Sequence, residues 1–123
     1  MDKRRDGSRI LEASVENHLE RQMKRIGGRA FKFPPAVKGA PDRIVMFPYG
    51  RIFFVELKRP GGKLSPAQLL WHSRALAMGH VVHVLDSRDQ VDAFIAWANQ
   101  EYWANRNKDT KAVENNYYAK EAE

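Results

Sequence analysis

The stretch GAPDRIVMFPYGRIFFVELKRPGG, residues 39–62, decides the fold of this chain. It contains two runs rich in β-branched and aromatic residues, at 43–47 and 52–57, with the turn-forming tripeptide Pro48-Tyr49-Gly50 between them. Runs of this length and composition on either side of a turn predict a β-hairpin. Because a similar run at 30–33 precedes the hairpin, we expect three consecutive strands.

Helical patterns flank these strands. Apolar residues recur at three- and four-residue spacing over residues 8–26 and end at Gly27-Gly28, which predicts a first helix. Ser65-Pro66-Ala67-Gln68 supplies an N-cap, a first-turn proline and a capping-box glutamine, so a second helix begins there. We expect the buried side of this helix to comprise Leu69, Leu70, Ser73, Leu76 and Ala77.

The rest of the chain continues the alternation of helix and strand. The apolar run at 81–85 predicts a fourth strand, in an interior position of the sheet. Ser87 and Gln90 repeat the capping-box spacing before a third helix, which would bury Val91, Phe94, Ile95 and Ala98. The order αβββαβα predicts an α/β fold with a central sheet flanked by helices. We assign residues 1–99 to this domain and residues 100–123 to a polar tail, which is either a helical extension or a disordered segment.

Composition narrows the class of protein. The chain has 123 residues, of which 43% are hydrophobic and 29% charged, and no apolar run approaches the roughly 20 residues of a membrane span. Its charged N-terminus lacks the apolar stretch of a secretory signal, so we expect a cytoplasmic protein with no membrane partner. The absence of cysteine excludes disulfides, thiolate metal sites and cysteine nucleophiles. A net charge of +6 favours a polyanionic partner.

Three polar residues stand at strand ends that a hairpin brings together. Asp42 precedes the second strand, and Glu56 and Lys58 end the third, on one face of the sheet. Two converging carboxylates repel unless a cation lies between them, and oxygen ligands suit Mg²⁺ or Mn²⁺. Lys58 could then orient or deprotonate an attacking water, or stabilise charge on a phosphate. The alternative is a simple Pro-Asp turn and a solvated strand edge.

These segments resemble the motifs of the virus-type replication-repair nuclease (VRR-NUC) family, in the PD-(D/E)xK superfamily. The resemblance rests on GAPDR at 39–43, FVELKRPGG at 54–62 and LSPAQ at 64–68, and covers about residues 10–98. It implies a restriction-endonuclease-like αβββαβ core with a mixed sheet. A stand-alone member of this kind suggests a phage or a bacterium as the source.

The resemblance also implies a set of site residues. The metal would be held by Asp42, Glu56, the backbone carbonyl of Leu57 and a glutamate of the first helix, with Lys58 as the catalytic lysine. Glu16 best fits that glutamate, and Glu12 and Glu20 are alternatives because they lie one turn away on the same helical face. Gln68 matches the family's catalytic-site glutamine, yet the capping box alone also explains it.

Basic residues and histidines complete the candidates. Lys38, Arg43, Arg59 and Lys63 surround the motifs and are expected to contact phosphates, although each could be an ordinary solvated charge. His72 lies one turn after Gln68, and the other histidines share no metal-ligand spacing. We therefore include no histidine in the catalytic set.

These observations predict a metal-dependent endodeoxyribonuclease that hydrolyses phosphodiesters in line, without a covalent intermediate. No sequence-reading module accompanies the core, so we expect recognition of DNA shape, at branches such as four-way junctions or flaps. Because larger members of the family carry further DNA-binding domains that this chain lacks, the resemblance implies that it acts as a homodimer. The alternative is a non-catalytic basic module that binds nucleic acid on the same fold. The residues themselves do not decide whether the substrate is DNA or RNA, or whether one metal ion acts or two.

Overall fold

The computed structural model describes the backbone of residues 3–34 and 37–113 and the side chains of residues 12–34 and 37–100. Within these ranges the elements follow the predicted order αβββαβα. They are α1 (Lys3–Arg25), β1 (Arg29–Lys32), β2 (Arg43–Phe47), β3 (Arg51–Leu57), α2 (Pro66–Ala77), β4 (Val82–Leu85) and α3 (Arg88–Val113).

The strands form one mixed sheet in the order β1-β2-β3-β4. β1, β2 and β3 pair antiparallel, with β2 and β3 joined by a turn in which Tyr49 and Gly50 have φ of 68° and 84°. β4 pairs parallel to β3 because α2 carries the chain back across the sheet between them. The predicted mixed sheet flanked by helices is therefore confirmed.

The pairing register aligns Phe33, Asp42 and Glu56 across the sheet where the polar motifs lie. In the adjacent row, Arg43 is the pairing partner of Lys32 on β1 and of Val55 on β3. One residue further, the N–H of Phe33 donates to the carbonyl of Asp42, so this register continues. The same step places Asp42 opposite Glu56. Phe33, Asp42 and Glu56 thus form a row on one face of β1, β2 and β3.

Helices cover both faces of the sheet. α2 lies on the face that carries Phe54, whose ring contacts Trp71 at a centroid distance of 5.5 Å. α1 lies on the opposite face, where it is held by Arg43. Burial of large apolar side chains there stabilises the fold by roughly 1.5–3 kcal/mol each. The buried residues of α1 and the sheet are Val15, Leu19, Met23, Val45, Phe47, Val55, Leu57 and Leu85.

Two expectations about packing are wrong. The expected buried side of α2 is exposed, and the helix instead turns Gln68, Trp71, His72 and Ala75 inward. Apolar residues occur nearly all round this helix, so their spacing alone did not select the inner face. β4 is an edge strand of the described sheet, because no described strand pairs with its second side. Its apolar run faces solvent in part, and Val84 is exposed.

The chain divides into two compact units, Met1–Asp92 and Ala93–Glu123. α3 runs through Asn99 without a break as far as Val113, and its residues expected to be buried, Val91, Phe94, Ile95 and Ala98, are all buried. The last ten residues of the predicted tail, 114–123, lie outside the described residues, and the domain boundary at residue 99 stays a prediction. No described helix is long and apolar enough to cross a membrane.

Candidate active site

A cleft of about 590 Å³ opens at the end of the sheet where the polar motifs meet. Its walls come from α1, the loop between β1 and β2, the end of β3 and the first turn of α2. The side chains and backbone that line it are Glu12, Glu16, Lys32, Phe33, Pro34, Val37, Lys38, Gly39, Ala40, Pro41, Asp42, Glu56, Leu57, Lys58 and Gln68. The cleft therefore contains Glu16, Asp42, Glu56, Leu57, Lys58 and Gln68, the residues proposed as catalytic or metal-binding, and also the alternative ligand Glu12. Glu20, the other alternative, does not line it.

Asp42 and Glu56 form the floor of this cleft and differ in their surroundings. Asp42 is exposed, and its Oδ2 accepts a hydrogen bond from the N–H of Leu57 at 2.8 Å, which fixes the carboxylate against β3. Glu56 is 1% exposed. Its Oε1 accepts from the Gln68 side chain at 2.7 Å, whereas its Oε2 is buried without a hydrogen-bond partner. A buried carboxylate oxygen of this kind is costly unless something else binds it.

The proton affinity of Glu56 reflects this position. Burial raises its pKa from 4.5 to about 7, and the neighbouring charge of Asp42 acts in the same direction. Lys58 lowers the pKa and opposes these effects only in part. The two carboxylates are thus close enough to repel, and this repulsion adds to the effect of burial on the Glu56 pKa.

Gln68 organises the site from the first turn of α2. Its Oε1 accepts from Lys58 Nζ at 2.9 Å and from the N–H of Ser65 at 2.9 Å, while its Nε2 donates to Glu56. The Ser65 hydroxyl in turn accepts from the N–H of Gln68 at 3.2 Å, which completes the capping box. One side chain thus makes both sets of contacts, so the capping and site roles considered for Gln68 are compatible.

Lys58 projects into the cleft from the end of β3 and is largely buried. Its Nζ lies 3.9 Å from Glu56 Oε1 and donates to Gln68. An ammonium group has three N–H donors. The bond to Gln68 uses one of them and holds the group beside Glu56.

Gly39 packs the loop that carries Asp42 against the helix that carries Gln68. Its φ is 82°, and a Cβ placed there would lie 2.4 Å from the carbonyl oxygen of Ala67 and 3.1 Å from the nitrogen of Gln68. Only glycine allows this approach of the two backbones. The loop and the helix are therefore held at a fixed separation immediately beside the site.

Arg43 is buried rather than presented to a phosphate. It is 3% exposed, and its guanidinium binds Glu16, Glu20 at 2.7 Å and the carbonyl of Ala30 at 3.2 Å. This placement argues against the phosphate contact predicted for Arg43, because side chains alternate along a strand and Arg43 faces α1. It also places Glu16, the expected metal ligand, in an ion pair at the wall of the cleft.

The other predicted residues are more dispersed. Lys38 is exposed and lines the cleft, whereas Arg59 and Lys63 are exposed in the segment after β3 and do not line it. Burial and the charge of Lys58 lower the pKa of His72, whose Nε2 is buried without a partner. His18 instead lies within 2.7 Å of Asp92. None of these histidines lines the cleft.

Known proteins resemble both the sequence and the fold. A protein of Acyrthosiphon pisum secondary endosymbiont phage 1, named "Putative nuclease p44", is 52% identical over 81 residues, which are 65% of this chain and 87% of that protein. A solved structure described as "VRR_NUC domain" superposes with a TM-score of 0.64 at 35% identity and covers 70% of this chain and 95% of its own. This chain belongs to the VRR-NUC family. No family model matches it.

Membership in the VRR-NUC family makes the chain a nucleic-acid hydrolase and implies a divalent cation. The oxygen atoms of the cleft show whether this site suits such a cation. Asp42 and Glu56 supply carboxylate oxygens, one of which is the unpartnered Glu56 Oε2. Hard cations prefer such ligands. Among the described residues no three His, Asp or Glu side chains lie close enough together to hold a metal, so Glu16 is not grouped with the other two. The pair fits a cation whose remaining ligands are backbone carbonyls and waters.

Two of the residues of this VRR-NUC cleft that sequence reasoning missed lie side by side where the first strand ends. Lys32 is the last residue of β1 and Phe33 follows it, and both line the cleft, as Lys38 does. The signal that could have found Phe33 is the strand register, which sets it opposite Asp42. A motif search could not find it, because Phe33 lies outside the three quoted motifs and carries no polar chemistry.

Proposed function

We propose that this chain is a divalent-metal-dependent endodeoxyribonuclease that hydrolyses phosphodiester bonds in branched DNA. The observation that carries the proposal is the pair Asp42 and Glu56 on the cleft floor, in which a buried Glu56 oxygen has no partner. Burial of this oxygen and repulsion between the two carboxylates both destabilise the fold, so the pair would be unfavourable if it had no ligand. The arrangement is accounted for by a cation and a substrate phosphate that complete it.

Asp42, Glu56 and the Leu57 carbonyl would hold the cation, with water molecules as its remaining ligands. Glu16, the helix glutamate expected to join them, is bound to Arg43 and is not grouped with the two carboxylates. A bound Mg²⁺ or Mn²⁺ would neutralise phosphate charge and acidify a water molecule at the site.

The protein's own residues supply the remaining chemistry. Lys58 donates one N–H to Gln68 and keeps its other N–H donors for a phosphate oxygen. Its positive charge can therefore stabilise the negative charge that develops as the P–O bond breaks. Gln68 fixes the distance between this ammonium and Glu56. In-line attack by water needs no covalent intermediate, and no nucleophilic side chain is required.

A homodimer is proposed because the described surface leaves an apolar face uncovered. Leu69, Leu76 and Met78 of α2 and its C-cap are more than half exposed, and β4 is an edge strand beside them. Exposed apolar patches commonly mark protein interfaces, and two-fold symmetry lets one patch cover itself. Two sites related by such an axis would suit paired cuts at a branch. Light scattering should give about twice 14.2 kDa, and Leu76→Glu should halve that mass.

A cleavage assay tests the proposed reaction, cofactor and site together. Wild-type protein is incubated with junction, flap and plain duplex DNA, and with an RNA flap, in EDTA and with added Mg²⁺ or Mn²⁺. We expect cleavage of branched DNA only with the metal, and loss of at least about a hundredfold in rate for Asp42→Asn, Glu56→Gln and Lys58→Met. Asp89→Asn, which removes an exposed carboxylate outside the cleft, and Lys24→Met are the matched controls.

Several outcomes would overturn the proposal. Binding without metal-dependent turnover would favour the non-catalytic basic module, and preferential cutting of the RNA flap would favour a ribonuclease. Equal rates on junction and plain duplex would remove the branch selectivity. If Glu56→Gln cleaved as fast as the Asp89→Asn control, the site would be assigned wrongly.

A further inference from the structure

Phe33 occupies a position in the cleft that the proposed hydrolysis does not explain. It stands in one cross-strand row with Asp42 and Glu56, on the same face of the sheet. Neighbouring strands are about 4.8 Å apart, so the ring lies one strand from Asp42 and two strands from Glu56. We propose that Phe33 forms a nucleobase subsite, in which its ring stacks on an unpaired base next to the phosphodiester that is cut. The inference rests on the proposed function and narrows its substrate.

The ring is held in place before any ligand arrives. Phe33 contacts Trp71 edge to face, with centroids 5.9 Å apart and an interplanar angle of 84°, and contacts Phe54 at 6.4 Å. The side chain nevertheless remains partly exposed and lines the cleft. An aromatic side chain fixed in this way loses little conformational freedom when a base stacks on it.

Charges around Phe33 suit the nucleotide that would carry this base. Lys32 precedes it on β1 and Lys38 lies on the loop that follows, and both are exposed and line the cleft. Single-stranded nucleic acid is generally bound by basic groups that follow the backbone and aromatic rings that receive the bases. Lys38 lies on the loop that continues from Phe33, whereas Lys32 pairs with Arg43 and therefore lies on the face of the sheet that α1 covers. Lys38 is thus the basic group that accompanies the ring.

Base stacking on Phe33 would discriminate between DNA structures. A base inside a duplex has both faces covered by its neighbours, so it must leave the stack before a protein ring can contact it. Removing a base from the stack costs least where the base is already unpaired. The subsite therefore favours cleavage at a frayed, flapped or branched position over cleavage within a continuous duplex, without any reading of sequence.

Fluorescence of 2-aminopurine tests the subsite independently of cleavage. A short single-stranded oligodeoxythymidylate that carries a few 2-aminopurines is titrated with protein in EDTA, and its integrity is checked afterwards on a denaturing gel. We expect quenching on binding to wild type. Phe33→Leu should abolish the quenching and weaken binding at least about fivefold, the lower end of the range for stacking of one base. Phe33→Trp should retain both.

Phe31, two residues before Phe33 and on the same face of the sheet, supplies a matched control. It is 43% exposed but lies outside the cleft, so Phe31→Leu removes a comparable ring without touching the proposed subsite. Unfolding midpoints of both variants are measured first. The proposal would be overturned if the Phe33→Leu variant quenched 2-aminopurine as strongly as wild type does. It would also be overturned if Phe31→Leu lost as much quenching as Phe33→Leu. So would equal quenching when the 2-aminopurines lie inside a duplex.

A second measurement separates this inference from the proposed function. Cleavage with Mn²⁺ is compared on two DNA substrates that differ only in whether the nucleotides at the cut are paired, and Phe33→Leu should narrow the ratio of the two rates. If wild type cleaves both equally but Glu56→Gln is inactive, the nuclease site stands and the subsite fails. If nothing is cleaved while the Phe33-dependent quenching persists, the subsite stands and the proposed reaction fails.

Discussion

Arg43 binds Glu16 from the strand position next to Asp42, on the opposite face of the sheet. The strand that presents one carboxylate to the cleft thereby also fixes the helix that presents another. The same guanidinium reaches Glu20 and the carbonyl of Ala30, so α1, β1 and β2 meet at one buried charge. The pair explains how α1 keeps its place beside the cleft.

Removal of this charge should destabilise the fold. We expect Arg43→Met to lower the free energy of unfolding by roughly 1–3 kcal/mol, the cost of leaving hydrogen-bonding partners unpaired. The value stays below that of a fully buried pair because Glu16 and Glu20 are partly exposed, at 36% and 39%, and can be hydrated. Urea unfolding measures it, with exposed Arg74→Met as the control. Equal midpoints for the two variants would contradict a structural role for the pair.

Glu56 predicts a trade-off between stability and activity. In Glu56→Gln the new amide can replace the unpartnered oxygen and remove the repulsion by Asp42. We expect the metal-free variant to be more stable than wild type by roughly 1–3 kcal/mol above pH 7, because each unit of pKa corresponds to about 1.4 kcal/mol. If the proposed metal site is right, Mg²⁺ or Mn²⁺ should raise the melting temperature of the wild type, and Glu56→Gln should lose that rise.

The pH dependence of this gain follows from the sign of the pKa shift. The folded state keeps the Glu56 proton up to about pH 7, whereas the unfolded chain releases it near 4.5. Wild-type stability therefore falls as pH rises through this window, and Glu56→Gln lacks that fall. Melting curves across the window check the prediction, with Asp89→Asn as the control. A gain that is constant with pH would refute it.

Local signals predicted much of the fold, and contacts distant in sequence account for what they missed. β2 and the capping box of α2 lie where the sequence placed them, because alternation and capping act within a few residues. α1 begins at Lys3, earlier than its apolar pattern, since its first turns are polar. The inner face of α2 and the edge position of β4 depend on which surfaces meet. The burial of Arg43 depends on the carboxylates of Glu20 and Glu16, which lie 23 and 27 residues away in the sequence.

In the candidate site, too, local sequence predicts some residues, and only contacts distant in sequence identify the others. Asp42, Glu56 and Lys58 were found because two paired strands bring their ends together, which the sequence itself implies. Phe33 joins them only through the register of β1, and short strands give weak information on register.

His83 should make stability depend on pH in the opposite direction to Glu56. It lies on β4 against the ring of Phe53, and burial lowers its pKa below the ordinary value of 6.5. The unfolded chain therefore takes up a proton before the folded state does, so the contribution of His83 is complete above pH 6.5 and is lost as pH falls below it. His83→Gln should remove this loss. Denaturant midpoints on both sides of pH 6.5 test it, and parallel curves for the two proteins would contradict it.

Gly39 and Gly50 offer a matched pair for testing how the site is held together. Their φ angles are 82° and 84°, so alanine imposes the same backbone strain at either position. A Cβ on Gly50 meets nothing within 4 Å, whereas a Cβ on Gly39 meets the backbone of Ala67 and Gln68. Gly39→Ala must therefore push the Asp42 loop away from α2. We expect both variants to lose roughly 1 kcal/mol through strain, and Gly39→Ala alone to lose at least about tenfold in kcat, because a small misplacement of reacting groups is costly. Equal rates for the two variants at matched stability would mean that this contact does not position the site.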